Sequence, residues 1–265
     1  QGYTIIRPGQ PVQRLVHVYP DAAELNRVYR SELTIHSSVG EFAKALSAIQ
    51  VDDARWREHT DILRSNYEAF STVRSRDKFT PDLDGIIEDI RNALPEDAII
   101  TTDAGNFSGW PQRYLHYARP MRLLAPTSGA MGYGVPAAVA ASLRYPDRAV
   151  VGFMGDGGFM MTAQEIATAC HEGAHPVLLV FNNGMYGTIR MHQEKHYPKR
   201  ISATKLTNPD FAAFAASFGA ASWVVARTED FLPAFRAALA AKKPALIEIR
   251  MDPEQITTAK KLAEL

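Results

Sequence analysis

Several features that mark particular classes of protein are scarce or missing in this sequence of 265 residues. The single cysteine, Cys170, cannot close an internal disulfide, so the fold needs no oxidising compartment and we expect a cytoplasmic setting. The 29 basic and 29 acidic residues cancel, which argues against a nucleic-acid partner, because such partners are recruited by a net field. Every apolar stretch is interrupted well short of about 18 positions, so no membrane contact is expected.

The remaining composition is that of an ordinary globular protein, with 46% hydrophobic and 22% charged residues. At about 150 residues per domain, the length corresponds to fewer than two domains. The first residues have neither an initiator Met nor the charged-then-apolar order of a signal peptide. We therefore expect the sequence to begin inside a longer protein.

The first 50 residues indicate two short βα units. The expected strand, helix, strand and helix lie at residues 15–18, 21–29, 33–35 and 39–49. Ser38 and Glu41 form a capping-box pattern for the last of these helices. Two strands are too few for an independent sheet, so residues 1–50 are predicted to be part of a larger domain. The charged segment 51–80 is predicted to be a helical linker with one apolar face.

From residue 81 onward, short apolar runs alternate with helical segments. The runs lie at residues 98–101, 122–125, 149–154, 177–181, 222–226 and 245–251. Strands that are apolar on both faces belong to a parallel sheet covered by helices on both sides. Residues 81–265 are therefore predicted to be one α/β domain with a C-terminal tail, and ligands are expected at the carboxyl ends of its strands.

Helix boundaries in this domain are marked by capping residues. Asn208 before Pro209 indicates an N-cap with proline at the first helical position. Thr162 and Glu165 form a capping-box pattern, which explains Glu165 better than a catalytic role would, and Gly173 is predicted to end that helix.

Two glycine-containing motifs follow neighbouring predicted strands. They are Gly155-Asp156-Gly157-Gly158 and Asn182-Asn183-Gly184-Met185-Tyr186-Gly187-Thr188. Either motif alone is more often an ordinary turn. The 24 residues between Gly157 and Asn182 hold one predicted helix and one predicted strand. We therefore expect both motifs at the same edge of the sheet.

This edge offers the ligands of a magnesium site. Asp156 supplies a carboxylate and Asn183 an amide oxygen, beside backbone carbonyls. Hard oxygen ligands with one carboxylate hold Mg²⁺ when phosphates complete its shell. The glycines let the backbone approach a phosphate, and a helix N-terminus favours its charge. The residues thus predict a Mg²⁺–diphosphate site.

The pattern Gly155-Asp156-Gly157, 24 residues, Asn182-Asn183 resembles the thiamine diphosphate motif of the family that includes acetolactate synthase, pyruvate oxidase, benzoylformate decarboxylase and pyruvate decarboxylase. Residues 127–138, Thr-Ser-Gly-Ala-Met-Gly-Tyr-Gly-Val-Pro-Ala-Ala, supply a second match. The resemblance implies the thiamine diphosphate-binding fold for residues 81–251. It implies, more loosely, the end of a Rossmann-like middle domain for residues 1–50.

The resemblance also implies roles for individual residues. The implied Mg²⁺ ligands are the side chains of Asp156 and Asn183 and the carbonyl of Met185. The implied thiamine diphosphate contacts are Gly105, Asn106, Gly129, Gly155, Gly157, Gly158, Tyr186, Gly187 and Thr188. Met131 would be the apolar wedge that bends the cofactor, and its flanking glycines favour that role over an ordinary core position.

No residue in the sequence matches the glutamate that activates the cofactor in this family. That glutamate belongs to an N-terminal pyrimidine-binding domain, so no catalytic residue is expected in this chain. The resemblance implies that this domain lies in the same or another chain, with the cofactor at the interface of a homodimer or tetramer. FAD is a possible further cofactor, because some members of the family carry it as a structural group.

The implied reaction is decarboxylation of a pyruvate-like 2-oxo acid with carboligation, as in acetolactate synthase. Two alternatives are a non-oxidative 2-oxo acid decarboxylase and a cofactor-binding module that is inactive without the missing domain. A nicotinamide-dependent oxidoreductase is disfavoured, because Gly132-Tyr133-Gly134 is the nearest match to G-x-G-x-x-G and lacks the third glycine.

Overall fold

The computed structural model describes residues 4–51, 55–73 and 79–265. The chain divides into two compact units, Gln1–Arg64 and Ser65–Leu265. The domain boundaries at residues 50 and 80 stay a prediction. Within the described ranges, no helix is long and apolar enough to cross a membrane.

The first unit contains two parallel strands, β1 (Val16–Tyr19) and β2 (Leu33–His36), and the helix α1 (Val39–Ser47). The Ser38 hydroxyl accepts a hydrogen bond from the Glu41 N–H at 3.3 Å and so caps α1, as predicted. A further helix, α2 (Arg57–Ser71), lies within the predicted linker, of which residues 52–54 and 74–78 are outside the described ranges.

The helix predicted over residues 21–29 is wrong, because the chain forms only a 3-10 turn at Ala22–Glu24. Asn26 follows with a left-handed backbone, at φ 60°. Its side-chain oxygen accepts hydrogen bonds from the N–H of Ser31 at 2.8 Å and from the hydroxyl of Ser31 at 2.7 Å. This local bonding competes with the helical hydrogen bonds and turns the chain toward β2.

The second unit contains a six-stranded sheet in which every neighbouring pair is parallel, in the order β4-β3-β5-β6-β8-β7. Its strands are β3 (Ile99–Thr102), β4 (Arg122–Leu124), β5 (Val150–Gly155), β6 (Val177–Asn182), β7 (Ala221–Val225) and β8 (Ala245–Arg250). All six predicted apolar runs are thus confirmed as strands. Their sequence signal was strong because the central strands are buried on both faces.

Helices cover both faces of this sheet. They are α3 (Leu83–Ala93), α4 (Gly109–Tyr114), α5 (Gly134–Arg144), α6 (Asp156–Thr162), α7 (Glu165–Glu172), α8 (Gly187–His196), α9 (Phe211–Ser217) and α10 (Thr228–Ala240). One core cluster joins the sheet to α3, α4 and α10, and a second joins it to α5, α6, α7 and α9. The predicted α/β class with helices on both faces is confirmed.

Two predicted helix starts are wrong. Helix α9 is capped by Asp210, whose carboxylate accepts from the Ala213 N–H at 2.8 Å, and Asn208 lies outside the helix. Thr162 does not cap α7, because its hydroxyl donates to the Gly132 carbonyl at 3.0 Å. The end of α7 is as predicted, with Gly173 in the left-handed conformation at φ 71°.

Candidate cofactor and metal site

The two motifs meet at the carboxyl edge of the sheet. Strand β5 ends at Gly155, which pairs with Phe181 near the end of β6. Helix α6 begins at Asp156 itself, so the interval between the motifs holds α6 and α7 rather than one helix. The expectation that both motifs lie side by side is borne out by this pairing.

A cavity with about 560 Å³ of empty space, including its open mouth, lies at this edge. Twelve of the residues proposed as cofactor or metal contacts line it, namely Gly105, Asn106, Met131, Gly155, Asp156, Gly157, Gly158, Asn183, Met185, Tyr186, Gly187 and Thr188. Gly129 is not among its lining residues. It lies in a turn with φ 69°, where its N–H donates to the Pro126 carbonyl at 3.3 Å.

Asp156 is 3% exposed and is held by three hydrogen bonds. Its Oδ1 accepts from the Gly157 N–H at 2.9 Å. Its Oδ2 accepts from the Gly184 N–H at 2.9 Å and from the Asn208 side-chain amide at 2.8 Å. Burial raises the pKa of this carboxyl, and the three hydrogen bonds partly oppose that rise. A cation beside it would favour the ionised form.

The second motif is held in shape by a segment that the sequence analysis did not identify. The Tyr186 N–H donates to the Thr204 carbonyl, and the Leu206 N–H donates to the Gly184 carbonyl, both at 2.8 Å. Inside the motif, the Asn183 side-chain oxygen accepts from the Met185 N–H at 3.2 Å. Backbone hydrogen bonds with residues 204–206 therefore hold the proposed metal-binding loop in place.

The loop after β3 is joined to the start of α8 by a reciprocal contact. The Thr188 hydroxyl donates to the Asn106 side-chain oxygen at 2.9 Å and accepts from the Asn106 N–H at 3.1 Å. Two segments that are far apart in sequence, each predicted to contact the diphosphate, are thereby linked directly.

Asp103, to which the sequence analysis gave no role, organises the segment that carries Met131. It is 1% exposed, and its carboxylate accepts from the Gly132 N–H at 3.0 Å and the Gly134 N–H at 2.7 Å. Burial raises the pKa of this carboxyl, and those two hydrogen bonds partly oppose the rise. The signal in the sequence was a lone acid directly after a buried strand.

Aromatic and C-terminal residues complete the cavity wall. The Phe107 ring stacks on Phe181, with ring centroids 5.6 Å apart. Gln255 and Ile256 also line the cavity. Gln255 is anchored because its amide accepts from the Leu83 N–H at 2.9 Å and donates to the Pro81 carbonyl at 3.0 Å. The sequence analysis gave no role to the segment that carries Gln255 and Ile256.

The donor set fits a magnesium–diphosphate group. Asp156, Asn183 and the Met185 carbonyl offer hard oxygens to a cation. In α8, the Arg190 N–H donates to the Tyr186 carbonyl. The backbone N–H groups of the first turn, which come before Arg190, have no partner within the helix and are the donors that would face a diphosphate. The described part of the chain holds no group of three or more His, Cys, Asp or Glu that could bind a metal. A cation here would therefore depend on the single carboxylate of Asp156 together with amide, carbonyl and phosphate oxygens, as Mg²⁺ does in phosphate sites.

Comparison with known proteins agrees with this geometry. The family model "Thiamine pyrophosphate enzyme, C-terminal TPP binding domain" matches residues 103–249, more than half of the chain. The chain is 27% identical to the acetolactate synthase isozyme 2 large subunit of Escherichia coli (strain K12), over 91% of this chain and 44% of that protein. It is 30% identical to the acetolactate synthase large subunit of Corynebacterium glutamicum, over 86% of this chain and 38% of that protein.

A solved structure is also similar. The thiamine diphosphate-dependent 4-hydroxybenzoylformate decarboxylase of Rhodococcus jostii RHA1 matches with a TM-score of 0.73 and 27% identity, over 90% of this chain and 44% of that chain. The chain thus spans less than half the length of these relatives. It belongs to the thiamine pyrophosphate enzyme family, and residues 103–249 match the C-terminal TPP-binding domain of that family.

Proposed function

We propose that this chain supplies the Mg²⁺- and diphosphate-binding half of an active site that decarboxylates a pyruvate-like 2-oxo acid and transfers the remaining fragment to a second carbonyl compound, as in acetolactate synthase. The observation that carries the proposal is the convergence of Asp156, Asn183 and the N-terminus of α8 in one cavity. Bound thiamine diphosphate would supply the electron sink for the loss of CO₂.

Within this proposal each group of residues has a distinct task. Asp156, Asn183 and the Met185 carbonyl hold the cation, and Asn106, Thr188 and the first amides of α8 hold the diphosphate. The other predicted contacts, Gly105, Gly129, Met131, Gly155, Gly157, Gly158, Tyr186 and Gly187, shape the cofactor's surroundings. The aromatic wall formed by Phe107 and Phe181 excludes water from the diphosphate end, which strengthens the electrostatic contacts there.

A second candidate is a non-oxidative decarboxylase, in which the remaining fragment takes up a proton instead of adding to a carbonyl compound. It is supported by the likeness to the Rhodococcus jostii decarboxylase structure. Product analysis with pyruvate separates the two reactions in an assembled enzyme, because carboligation yields acetolactate and simple decarboxylation yields acetaldehyde.

The proposal assigns the rest of the active site to a pyrimidine-binding domain of the same or another chain in a homodimer or tetramer. Support comes from the relatives, of whose length this chain spans 38–44%. The activating glutamate would lie in that domain. The cytoplasmic setting stays a prediction.

Asp156→Ala tests the metal assignment. The variant should fold, because the Gly184 N–H and the Asn208 amide keep the Asn182 side-chain oxygen as a second acceptor. We expect Mg²⁺-dependent binding of thiamine diphosphate, measured by titration calorimetry, to be abolished. The matched control, Asp210→Ala, removes a helix cap and should cost about 1 kcal/mol of stability while binding is unchanged. Retained tight binding by Asp156→Ala would contradict the assignment.

A further inference from the structure

A chain of hydrogen-bonded side chains runs from Asp156 away from the cavity into the sheet. The Asn208 amide donates to Asp156 Oδ2 at 2.8 Å and to Asn182 Oδ1 at 2.9 Å. The Asn182 amide in turn donates to Glu248 Oε1 at 2.7 Å. Strand β8, which carries Glu248, is thereby connected to the proposed metal ligand through two asparagines.

Glu248 is expected to destabilise the fold at its position. Its side chain is 3% exposed among the fully buried residues Leu246, Ile247 and Ile249. Its Oε2 is buried and has no hydrogen-bond partner within the described ranges. Among the described residues, the one cation within 4 Å of it is Arg250, whose Nε lies 3.3 Å from Oε1 on a side chain that is 56% exposed. A buried carboxylate with an unpaired oxygen destabilises a fold, so folding alone would favour an apolar residue here.

The hydrogen bond that Glu248 Oε1 accepts from Asn182 determines which way both asparagines point. A carboxylate accepts hydrogen bonds and donates none, so Asn182 must turn its NH₂ group toward Glu248. The Asn182 oxygen then faces the loop, where it accepts from the Gly184 N–H at 3.1 Å and from Asn208. Asn208 must therefore present its NH₂ group to Asn182 and Asp156 together. A flip of Asn182 would bring its NH₂ group against the donors of Gly184 and Asn208. A flip of Asn208 would bring its oxygen against the acceptor oxygens of Asp156 and Asn182.

This polarity also distinguishes the two oxygens of Asp156. Oδ2 receives two donors, from Gly184 and Asn208, which occupy both of its lone pairs. Among hydrogen bonds from other described residues, Oδ1 receives one, from the Gly157 N–H. One acceptor direction therefore stays free on Oδ1, which makes Oδ1 the oxygen that is available to a cation.

We propose that Glu248 is a positioning residue of the metal site. Through Asn182 and Asn208, its carboxylate fixes the hydrogen bonds that hold Asp156 and the Gly184 loop ready for the cation. This inference rests on the proposed function, because it takes Asp156 to be a Mg²⁺ ligand. Partners of metal ligands commonly change metal affinity by about 10–100-fold when they are replaced.

The test compares Glu248→Leu with Glu248→Gln in the full 265-residue chain. The Mg²⁺ dissociation constant is measured by titration at a fixed thiamine diphosphate concentration. We expect Glu248→Leu to raise it by about tenfold or more, because the acceptor that orients Asn182 is lost. Glu248→Gln should keep the wild-type value, because its side-chain oxygen can still accept from Asn182.

Two further variants separate positioning from general stability. Leu246→Ala removes a buried side chain two residues away on the same strand, so it should lower the melting temperature and leave the Mg²⁺ dissociation constant unchanged. Asn208→Ala removes one member of this series of hydrogen bonds, at a half-buried loop position, and should weaken Mg²⁺ binding as Glu248→Leu does. If Glu248→Leu does not fold, Asn208→Ala is the variant whose Mg²⁺ dissociation constant tests the proposal.

A measurement without metal or cofactor completes the test. Hydrogen exchange of the Gly184 and Met185 amides should be faster in Glu248→Leu and Asn208→Ala than in the wild type and in Leu246→Ala. If Glu248→Leu and Asn208→Ala both keep the wild-type Mg²⁺ dissociation constant and the wild-type amide exchange rates, the positioning role is overturned while the proposed function stands. Absence of Mg²⁺-dependent binding by the wild type would overturn the proposed function, and this inference with it.

Discussion

The glycines beside Asp156 are required by neighbouring protein atoms as well as by any ligand. A Cβ atom at Gly157 would lie 2.5 Å from Cε1 of Tyr186. A Cβ at Gly158 would collide with Oδ2 of Asp103. At Gly187 it would lie 2.9 Å from Nδ2 of Asn183. These glycines therefore allow close packing among the residues that form the proposed site.

Gly157→Ala should displace Tyr186 and weaken thiamine diphosphate binding. Overpacking by one methyl group typically costs about 1–3 kcal/mol, which corresponds to a rise of about fivefold to 150-fold in the dissociation constant if the whole cost falls on binding. The measurement is calorimetric titration of the cofactor with Mg²⁺ present.

Gly40→Ala is the matched control for this substitution. Gly40 is the second residue of α1, as Gly157 is of α6, and nothing lies within 4 Å of its added Cβ. It should leave binding unchanged. Equal affinity in Gly157→Ala and the wild type would show that Tyr186 is not a cofactor contact.

Single residues differ in how far the sequence reveals them. Asp156 and Asn183 could be identified because their motifs have a fixed spacing and follow buried strands. Asn208 was assigned to a helix cap, since Asn-Pro is a common start, but Asp210 two residues later holds that position. The hydrogen bonds of Asn208 join three separate segments, and only the folded chain brings these together.

At the scale of secondary structure elements, Asp103 connects the end of β3 to the segment that begins α5. The Gly132 and Gly134 amides both donate to its carboxylate, on either side of Tyr133. Met131, which lines the cavity, immediately precedes Gly132. The position of Met131 therefore depends on this contact between a strand end and a helix start.

Asp103→Asn should lower the free energy of unfolding by about 1–3 kcal/mol, because an NH₂ group would replace one acceptor and leave a buried N–H unsatisfied. Urea denaturation measures this loss. The control, Asp97→Asn, alters a half-exposed carboxylate 3.6 Å from Arg148 and should change stability by about 0–1 kcal/mol. Equal losses in both variants would contradict the role given to Asp103.

Strands were easier to predict than helix starts in this chain. The central strands of the six-stranded sheet are buried on both faces, so their apolar runs stand out in sequence. Helix starts depend on which of several polar side chains reaches an N–H group. Thr162 was predicted to cap a helix, but its hydroxyl donates to the Gly132 carbonyl. Asn26 lies within the helix predicted over residues 21–29, but its side chain accepts from the Ser31 N–H.

At the scale of the whole molecule, the chain spans less than half the length of the relatives that it matches. The family match covers residues 103–249, and the curated relatives are more than twice as long as the part they share with this chain. Under the proposed function, the residues here bind and orient the cofactor, and its activation depends on a glutamate in the pyrimidine-binding domain.

The purified 265-residue chain should therefore bind the cofactor without turning over substrate. Incubation with thiamine diphosphate, Mg²⁺ and pyruvate is expected to yield neither acetolactate nor acetaldehyde, as measured by product chromatography. Cofactor binding is measured in the same sample, so that absence of product is not mistaken for absence of cofactor. Product formed by this chain alone would place the activating group within it.

The most direct test of the central claim is calorimetric titration of the chain with thiamine diphosphate, once with Mg²⁺ and once with EDTA. The proposed site predicts saturable binding with Mg²⁺ and its loss with EDTA, because Asp156 and Asn183 would hold the diphosphate through the cation. Equal binding in both conditions, or no binding in either, would contradict a Mg²⁺–diphosphate site at the ends of β5 and β6.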